Sequence, residues 1–416
     1  MDETAAVLER VFRAESAVVL GALLAQLHDF DLAEEAFQDA IASALERWPV
    51  DGVPRRPGAW LLTAARRKAL DRLRRRATRL DKQSALELEA ELQTSQETEL
   101  DDDEIPDERL RLIFTCCHPA LAQQAQVALT LRTLGGLSTA EIARAFLVDE
   151  SAMARRLVRA KAKLREAGVT YRAVPLELVP ERRSTVLSVI YLIFNEGYAA
   201  SAGDSLVRRE LASEAIRLGR VLVELLPADA EVRGLLALML LHDARRDARV
   251  DADGVGVPLE DQDRARWDHA QIREGRALAA ELGSVETLGP YALQARIAAH
   301  HVSGATFADI DWRAIVGLYD RLLSQNPSPV IELNRAVALA LAEGPEVGLA
   351  LLAAPALTES LAGYGPYLTA RADLLRRAGR SDEARVAYRA ALARADTAPE
   401  RAFLQRRLNE LRPLPG

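Results

Sequence analysis

Residues 138–167 read STAEIARAFLVDESAMARRLVRAKAKLREA. Ser138, three positions before Glu141, forms a capping box: each side chain satisfies a backbone amide that the first helical turn leaves without a partner. Ile142 and Phe146 fall on one face of a short helix. Val148–Glu150 supply a turn, and Ser151 can cap a second helix. On that helix Met153, Leu157 and Leu164 make a buried stripe. Arg155, Arg156, Arg159, Lys161, Lys163 and Arg165 are left mostly outside, and no acidic residue interrupts 151–165. This is the pattern of a helix-turn-helix. A recognition helix reaches base edges with its first side chains while its basic flank neutralises phosphates. An amphipathic surface helix would also carry a charged face, but capping, turn and one-sided charge together favour DNA binding.

The charge outside this stretch is just as uneven. The chain has 416 residues and a net charge of −7. Residues 1–51 carry net −8, 52–80 net +9, 81–108 net −11 and 109–172 net +7. Two basic blocks therefore flank an acidic one. A basic block in an acidic protein is a candidate phosphate-backbone surface. One such block alone would read as a solvated helix face; the second lies on the helix-turn-helix.

Ala, Leu, Arg and Glu dominate, aromatic residues are 5%, and no strict alternation stands out, so the fold class is all-α. The pattern predicts helices near 3–27, 31–47, 57–76, 107–117, 121–133, 138–147 and 151–167. Pro49, Gly52, Pro54, Pro57 and Gly58 mark a loop between the second and third. Helical patterns resume after Pro175 and Pro180 and run to the end, broken by a loop at 250–260. Near the end a repeat shows: Tyr319, Ala353 and Tyr388 are 34 and 35 residues apart. Ala372, Gly379, Ala384, Tyr388 and Ala391 occupy the small and aromatic positions of a tetratricopeptide unit. A generic helical bundle competes with that reading over 180–310. Four regions are expected: 1–80, an acidic linker at 81–106, 107–175 with the helix-turn-helix, and a helical extension over 176–416.

Several function classes are disfavoured. Cys116 and Cys117, the two cysteines, are adjacent, which excludes a disulfide-built secreted scaffold. With His118 they suggest zinc, but adjacent ligands wrap one tetrahedral ion poorly and no second pair exists. Asp251-Ala-Asp253-Gly resembles a calcium loop, yet Val255 and Gln262 stand where oxygen ligands are needed. His242, His300 and His301 come with no evident nucleophile–base–acid set. No enzyme, cofactor or metal is expected. The longest uncharged run, Leu112 to Leu131, holds His118, Pro119 and three glutamines and makes a poor membrane helix. The first residues, MDETAAVLER, lack an apolar signal core, so a cytoplasmic protein without a membrane segment is expected.

Residues 57–76 read PGAWLLTAARRKALDRLRRR. Trp60, Leu61, Ala65, Leu70 and Leu73 can form a buried stripe, leaving Arg66, Arg67, Lys68, Arg72, Arg74, Arg75 and Arg76 available. The segment resembles the region-two helix of extracytoplasmic-function sigma factors of the sigma-70 family. There a Trp-Leu pair precedes Ala-Arg-Asn and an Asp-x-Leu-Arg run; Trp60–Leu61, Ala65–Arg66 and Asp71–Arg74 match, and the family asparagine is Arg67 here. The preceding helix, AEEAFQDAIASALERW, is similar to that family's polymerase-binding helix through Ala33, Glu34 and Gln38, with Glu35 for the usual aspartate. The helix-turn-helix is similar to region four. RLIFTCCHPAL, YLIFNEGYAAS, LLALMLLHDARR and LEDQDRARWD look like the subgroup with a tetratricopeptide-like C-terminal extension.

The resemblance implies a dissociable initiation subunit that makes no bond change itself. Its partners would be bacterial core RNA polymerase, promoter DNA and a regulatory protein or peptide at the extension. Glu34, Glu35, Gln38 and Asp39 around Phe37 would contact polymerase. Trp48, Arg55, Arg56, Arg66, Arg67, Lys68, Arg72, Arg74 and Arg75 would hold the −10 element, where a base leaves the stack at a cost of a few kcal/mol. Core packing is the competing role for Trp48 and the preferred one for Trp60. Ser151, Arg155 and Arg156 would reach base edges of the −35 element, with Arg159 and Lys163 toward phosphate and Lys161 a further −35 contact. The acidic linker would either mimic nucleic acid inside polymerase or act as a spacer. A one-component helix-turn-helix regulator with a tetratricopeptide-like sensing domain stays open as a second reading, and the basic block at 55–79 counts against it. A protein-binding scaffold would leave both basic blocks unexplained.

Overall fold

The computed structural model describes residues 15, 18–27, 29–77, 112–135, 137–146, 148–169, 179–198, 205–253, 255–285, 287–395 and 398–411. The acidic linker and the first predicted helix before residue 15 lie outside them. Among the described residues there are helices and turns, one isolated bridge between Val250 and Gly256, and no strand. The chain divides into two compact units, 1–193 and 194–416.

In the first unit, residues 18–27 are helical and bury Val19, Leu20, Leu23, Leu24 and Leu27. Helix α1 (Phe30–Asp51) starts at Asp29, whose carboxylate accepts from the amides of Asp31 and Leu32 at 2.9 and 3.1 Å. It buries Leu32, Ala33, Ala36, Phe37, Ala40, Ala44 and Trp48, a stripe at three- and four-residue spacing. Helix α2 (Pro57–Ala77) packs against it, burying Leu61, Leu62, Ala65, Ala69 and Leu70. Alanines on both faces let the backbones approach closely. The loop expected to begin at Pro49 begins instead after Asp51. A proline's fixed φ is itself helical; in the last turn it costs one amide donor, and the helix carries on. Gly52 ends it at φ 82°, where its amide reaches the carbonyl of Trp48.

The helix-turn-helix lies in the same unit. Helices α3 (Gln123–Thr133), α4 (Thr139–Ala145) and α5 (Glu150–Glu166) pack on one another. Both halves of the capping box form: Ser138 N donates to Glu141 Oε2 at 2.6 Å and Glu141 N to Ser138 Oγ at 3.2 Å. Helix α5 starts one residue earlier than expected, with Asp149 at its N-cap, so Ser151 is an exposed residue of the first turn and not a cap. Its stripe is Met153, Leu157, Ala160 and Leu164. Helix α6 (Val179–Tyr198) follows, and the division into units falls inside it.

The second unit runs through α7 (Ser205–Leu225), α8 (Ala230–Asp243), α9 (His269–Glu281), α10 (Pro290–His301), α11 (Trp312–Gln325), α12 (Pro329–Glu343), α13 (Pro345–Leu352), α14 (Pro355–Leu361), α15 (Gly365–Arg377), α16 (Ser381–Leu392) and α17 (Ala398–Glu410). Successive helices pack mostly on their neighbours. Over residues 234–241 helix α8 is apolar all round, and the helix sits among α7, α9 and α10. Ala372, Ala384, Tyr388 and Ala391 converge in one core, and Gly379, between α15 and α16, takes the left-handed φ of 74°. Tyr388 is fully buried and its hydroxyl donates to Asp373 at 3.3 Å. The 250–261 loop is strapped to the last helices: Arg406 pairs with Asp251 at 2.8 Å, Arg407 with Asp261 at 3.2 Å and Arg377 with Glu260 at 2.5 Å. Asp251 thus caps its own turn, accepting from the amides of Asp253 and Val255, and faces an arginine.

Candidate nucleic-acid and polymerase interface

Helix α5 presents Ser151, Arg155, Arg159 and Lys163 to solvent, with Arg156 and Lys161 half-buried. Because the buried stripe recurs every three or four residues, the exposed cations cover the remaining arc of the helix. Arg159 Nε donates to the carbonyl of Arg155 at 3.3 Å, so its guanidinium lies back along its own helix. The first turn carries Glu150, a favourable charge at a helix N-terminus, and Lys163 and Arg165 lie in the last turn, where cations are favourable. Local electrostatics therefore reinforce the helix while leaving its basic face outward.

Region 30–77 sorts the other candidates by burial. Arg55, Arg56, Arg67 and Arg74 are exposed and Lys68 is half-buried. The side chain of Arg75 lies outside the described residues. Trp48 is 3% exposed and makes an edge contact with Trp60, ring centroids 5.5 Å apart. Its indole Nε1 has no hydrogen-bond partner among the described residues. Phe37 is 2% exposed and faces the α1–α2 core. Arg66 is 7% exposed and donates to Gln26 at 3.1 Å; burial pushes its guanidinium pKa down. In this arrangement Trp48, Phe37 and Arg66 are packed inside the first unit. Arg72 bonds Glu35 at 2.6 Å and Asp39 at 2.9 Å, linking α2 back to α1. Gln38 alone of the five polymerase candidates is exposed.

The structure also joins α1 to the helix-turn-helix, partly through residues the sequence did not single out. Glu34 accepts from Arg132 at 2.7 Å and from Lys161 at 2.5 Å. Asp31, one turn earlier on the same face of α1, accepts from Lys161 at 3.1 Å and from Arg165 at 2.9 Å. Lys161 is 13% exposed in its side chain, Glu34 and Arg132 21%. Burial raises the Glu34 pKa, and Lys161 and Arg132 more than offset it, so the carboxyl sits below its ordinary value. Burial lowers the Lys161 pKa, and Glu34 and Asp31 more than offset that, so the ammonium sits above its own. Glu34's contribution is present above its unfolded pKa and is lost as pH falls through the lowered folded one. Lys161's is present below its unfolded pKa and is lost as pH rises through the raised one. Across neutral pH both ions are charged and the pairing is intact. The signal for Asp31 was its three-residue spacing from Glu34. Arg132 was signalled by standing directly after twenty uncharged residues.

Cys116 and Cys117 are free and buried. Burial pushes both thiols up, Cys117 to about 12, and Cys117 Sγ lies 3.7 Å from Thr130 Oγ1. Among the described residues no group of His, Cys, Asp and Glu is arranged to hold a metal ion. A thiolate is the reactive form. Iodoacetamide at pH 8 should therefore leave both cysteines unmodified in the native chain and label both in urea, as read by intact mass. Rapid native labelling would contradict this burial. Among the described residues no helix is long and apolar enough to cross a membrane.

Comparison with known proteins gives the same order of segments. Residues 11–79 match the family described as Sigma-70 region 2, and residues 111–164 that described as Sigma-70, region 4. Residues 182–282 match a family of unknown function, DUF6596. The chain is 43% identical over 394 residues to an uncharacterized protein of Rhizobium meliloti (strain 1021), covering 94% of this chain and 93% of that one. No solved structure matches.

Proposed function

Since this chain belongs to the sigma-70 family of transcription initiation factors, we propose that it is a dissociable sigma subunit of the extracytoplasmic-function type. It docks on core RNA polymerase through α1, engages the −10 element through α2 and the loop before it, and reads the −35 element with α5. The observation that carries this reading is the capped helix-turn-helix whose second helix exposes Ser151, Arg155, Arg159 and Lys163, preceded in the chain by a second exposed basic helix. Arg55, Arg56, Arg67, Lys68 and Arg74 are the −10 candidates that burial supports. Gln38, Glu35 and Asp39 are the polymerase contacts that need least rearrangement. Arg67, where the family has asparagine, adds a positive charge at the melting position and suits a phosphate better than an extruded base.

The extension after α6 is the regulatory part in this proposal. Its small-residue core around Tyr388 supports a tetratricopeptide-like stack, an architecture that offers a concave surface to a peptide or partner. Because α6 belongs to the first unit as far as Ile193, a truncation must keep residues through 198.

Co-elution with purified bacterial core RNA polymerase tests the proposal, using the full chain, residues 1–198, and a Glu34→Ala/Glu35→Ala/Gln38→Ala variant. The wild type is expected to co-elute and the triple variant to bind at least about tenfold more weakly, since truncating one partner of a buried charge pair costs about 2–5 kcal/mol. Binding by residues 1–198 but not by the full chain would make the extension inhibitory. Binding by neither would return the one-component regulator to first place.

A further inference from the structure

Helices α11, α12 and α15 each turn residues at helical spacing toward one space in the second unit. Trp312, Ile315 and Tyr319 come from α11, and Val337, Ala338 and Leu341 from α12. Thr369, Ala370 and Leu374 come from α15. These faces do not close on one another but leave a cavity of about 370 Å³. Small-molecule sites run from about 300 to 1,000 Å³, so this one suits a ligand of one or two rings. The packing around it is not loose, since Ile315 and Leu374 are 0% and 2% exposed. Pro258 and Leu259 close one side, in the loop that the Glu260–Arg377 and Asp261–Arg407 pairs strap to the last helices.

The wall carries polar groups with nothing to bond. The Thr369 hydroxyl oxygen is buried without a hydrogen-bond partner. The Tyr319 hydroxyl has none among the described residues, and burial alone pushes it up to about 12. Burial and Arg245 push His301 down to about 3, so it is a neutral imidazole with one donor and one acceptor nitrogen. Buried polar groups left unpaired cost free energy. The charged groups of the wall, by contrast, are paired. Asp373 bonds Arg376 and Arg377, each at 2.7 Å, and Glu260 pairs with Arg377 at 2.5 Å. None of them calls for a counter-ion. One side is aromatic: the Trp312 ring lies 5.2 Å from that of Phe307 and 5.6 Å from that of His301.

We propose that this cavity binds a small, flat, uncharged aromatic molecule bearing a hydrogen-bonding group such as an amide or a phenol. Its ring packs among Trp312, Tyr319 and Phe403, and its polar group bonds the hydroxyl of Thr369. A charged ligand would lose its hydration without gaining a free counter-charge. The site stands on the second unit alone; only its use as the signal read by the extension rests on the sigma-factor reading.

Calorimetric titration of the full chain tests this with four probes. Indole-3-acetamide and 4-hydroxybenzamide are flat and neutral, indole-3-acetate is the charged match and cyclohexanecarboxamide the saturated one. The two neutral aromatic probes should bind saturably at one site, and the charged and saturated matches at least about tenfold more weakly. Thr369→Val keeps the shape and removes the hydroxyl. It should weaken the aromatic amides about fivefold, the factor of one neutral hydrogen bond, while the thermal midpoint of the free chain stays at or above wild type. Val337→Phe, which fills part of the space, should abolish binding. No saturable binding by either neutral aromatic probe would overturn the site. Equal binding of indole-3-acetate or of cyclohexanecarboxamide would overturn the ligand class. Unchanged affinity in both variants would place the probes elsewhere and overturn the assignment to this cavity. Probe binding by a chain that does not co-elute with core polymerase would sink the sigma reading and leave the site standing.

Discussion

Gly234→Ala should destabilise residues 194–416 by about 2–3 kcal/mol, although by local propensity alone the same change should stabilise a helix by about 1 kcal/mol. The sign is set by what the added methyl meets. Helix α8 crosses α10 so closely that a Cβ on residue 234 would lie 2.6 Å from both the amide nitrogen and the Cα of Ala292. Backbone cannot rotate away as a side-chain end can, so the two helices must separate. Separation loosens the packing of Leu235, Leu238 and Leu241, all at most 2% exposed. Gly317 is the matched control. It also sits within a helix, α11, but is exposed, and a Cβ there meets nothing within 4 Å. Gly317→Ala should therefore gain about 0.5–1 kcal/mol. Urea melts of the two variants, followed by far-ultraviolet circular dichroism beside wild type, should shift in opposite directions. A Gly234→Ala midpoint at or above wild type would show that α8 and α10 are not so closely packed in solution.

That pair of glycines shows where sequence reading stops. The apolar run around α8 was visible, and a helix apolar on every side must be buried. Which of its residues touches a neighbour's backbone depends on a crossing point that periodicity does not encode. The helix-turn-helix was legible almost to the residue, because its signals are local: a capping pair three apart, a turn, a stripe at helical spacing. Its error, Ser151 as a cap, came from two residues two positions apart, each able to start the same helix, Asp149 being the one used. Helix α2 was placed within a residue by the same logic. Its arginines were not sorted, because Arg66 and Arg67 look alike in sequence. Only the direction of each side chain puts one beside Gln26 and the other in solvent. Trp48 and Phe37 illustrate the same limit, since a large apolar residue beside charged ones fits a binding surface and a core equally well. The Asp31–Lys161 pair is separated by 130 residues, and no pattern of one helix could have joined its two ends.

Replacing Arg155, Arg156 and Arg159 together by alanine should weaken duplex binding by the full chain about a hundredfold near 0.1 M salt and flatten its salt dependence. The flattening is the more telling result. Each neutralised phosphate contributes about −0.9 to the slope of log K against log salt, so with Arg159 toward phosphate and Arg155 and Arg156 at base edges the slope should lose about one unit. The side chains are exposed or half-buried and the stripe of Met153, Leu157, Ala160 and Leu164 is untouched, so the helix itself should remain. Alanine is moreover a better helix former than arginine. Anisotropy titrations at several salt concentrations read both effects. A triple variant with the wild-type slope would move the DNA-binding face away from α5.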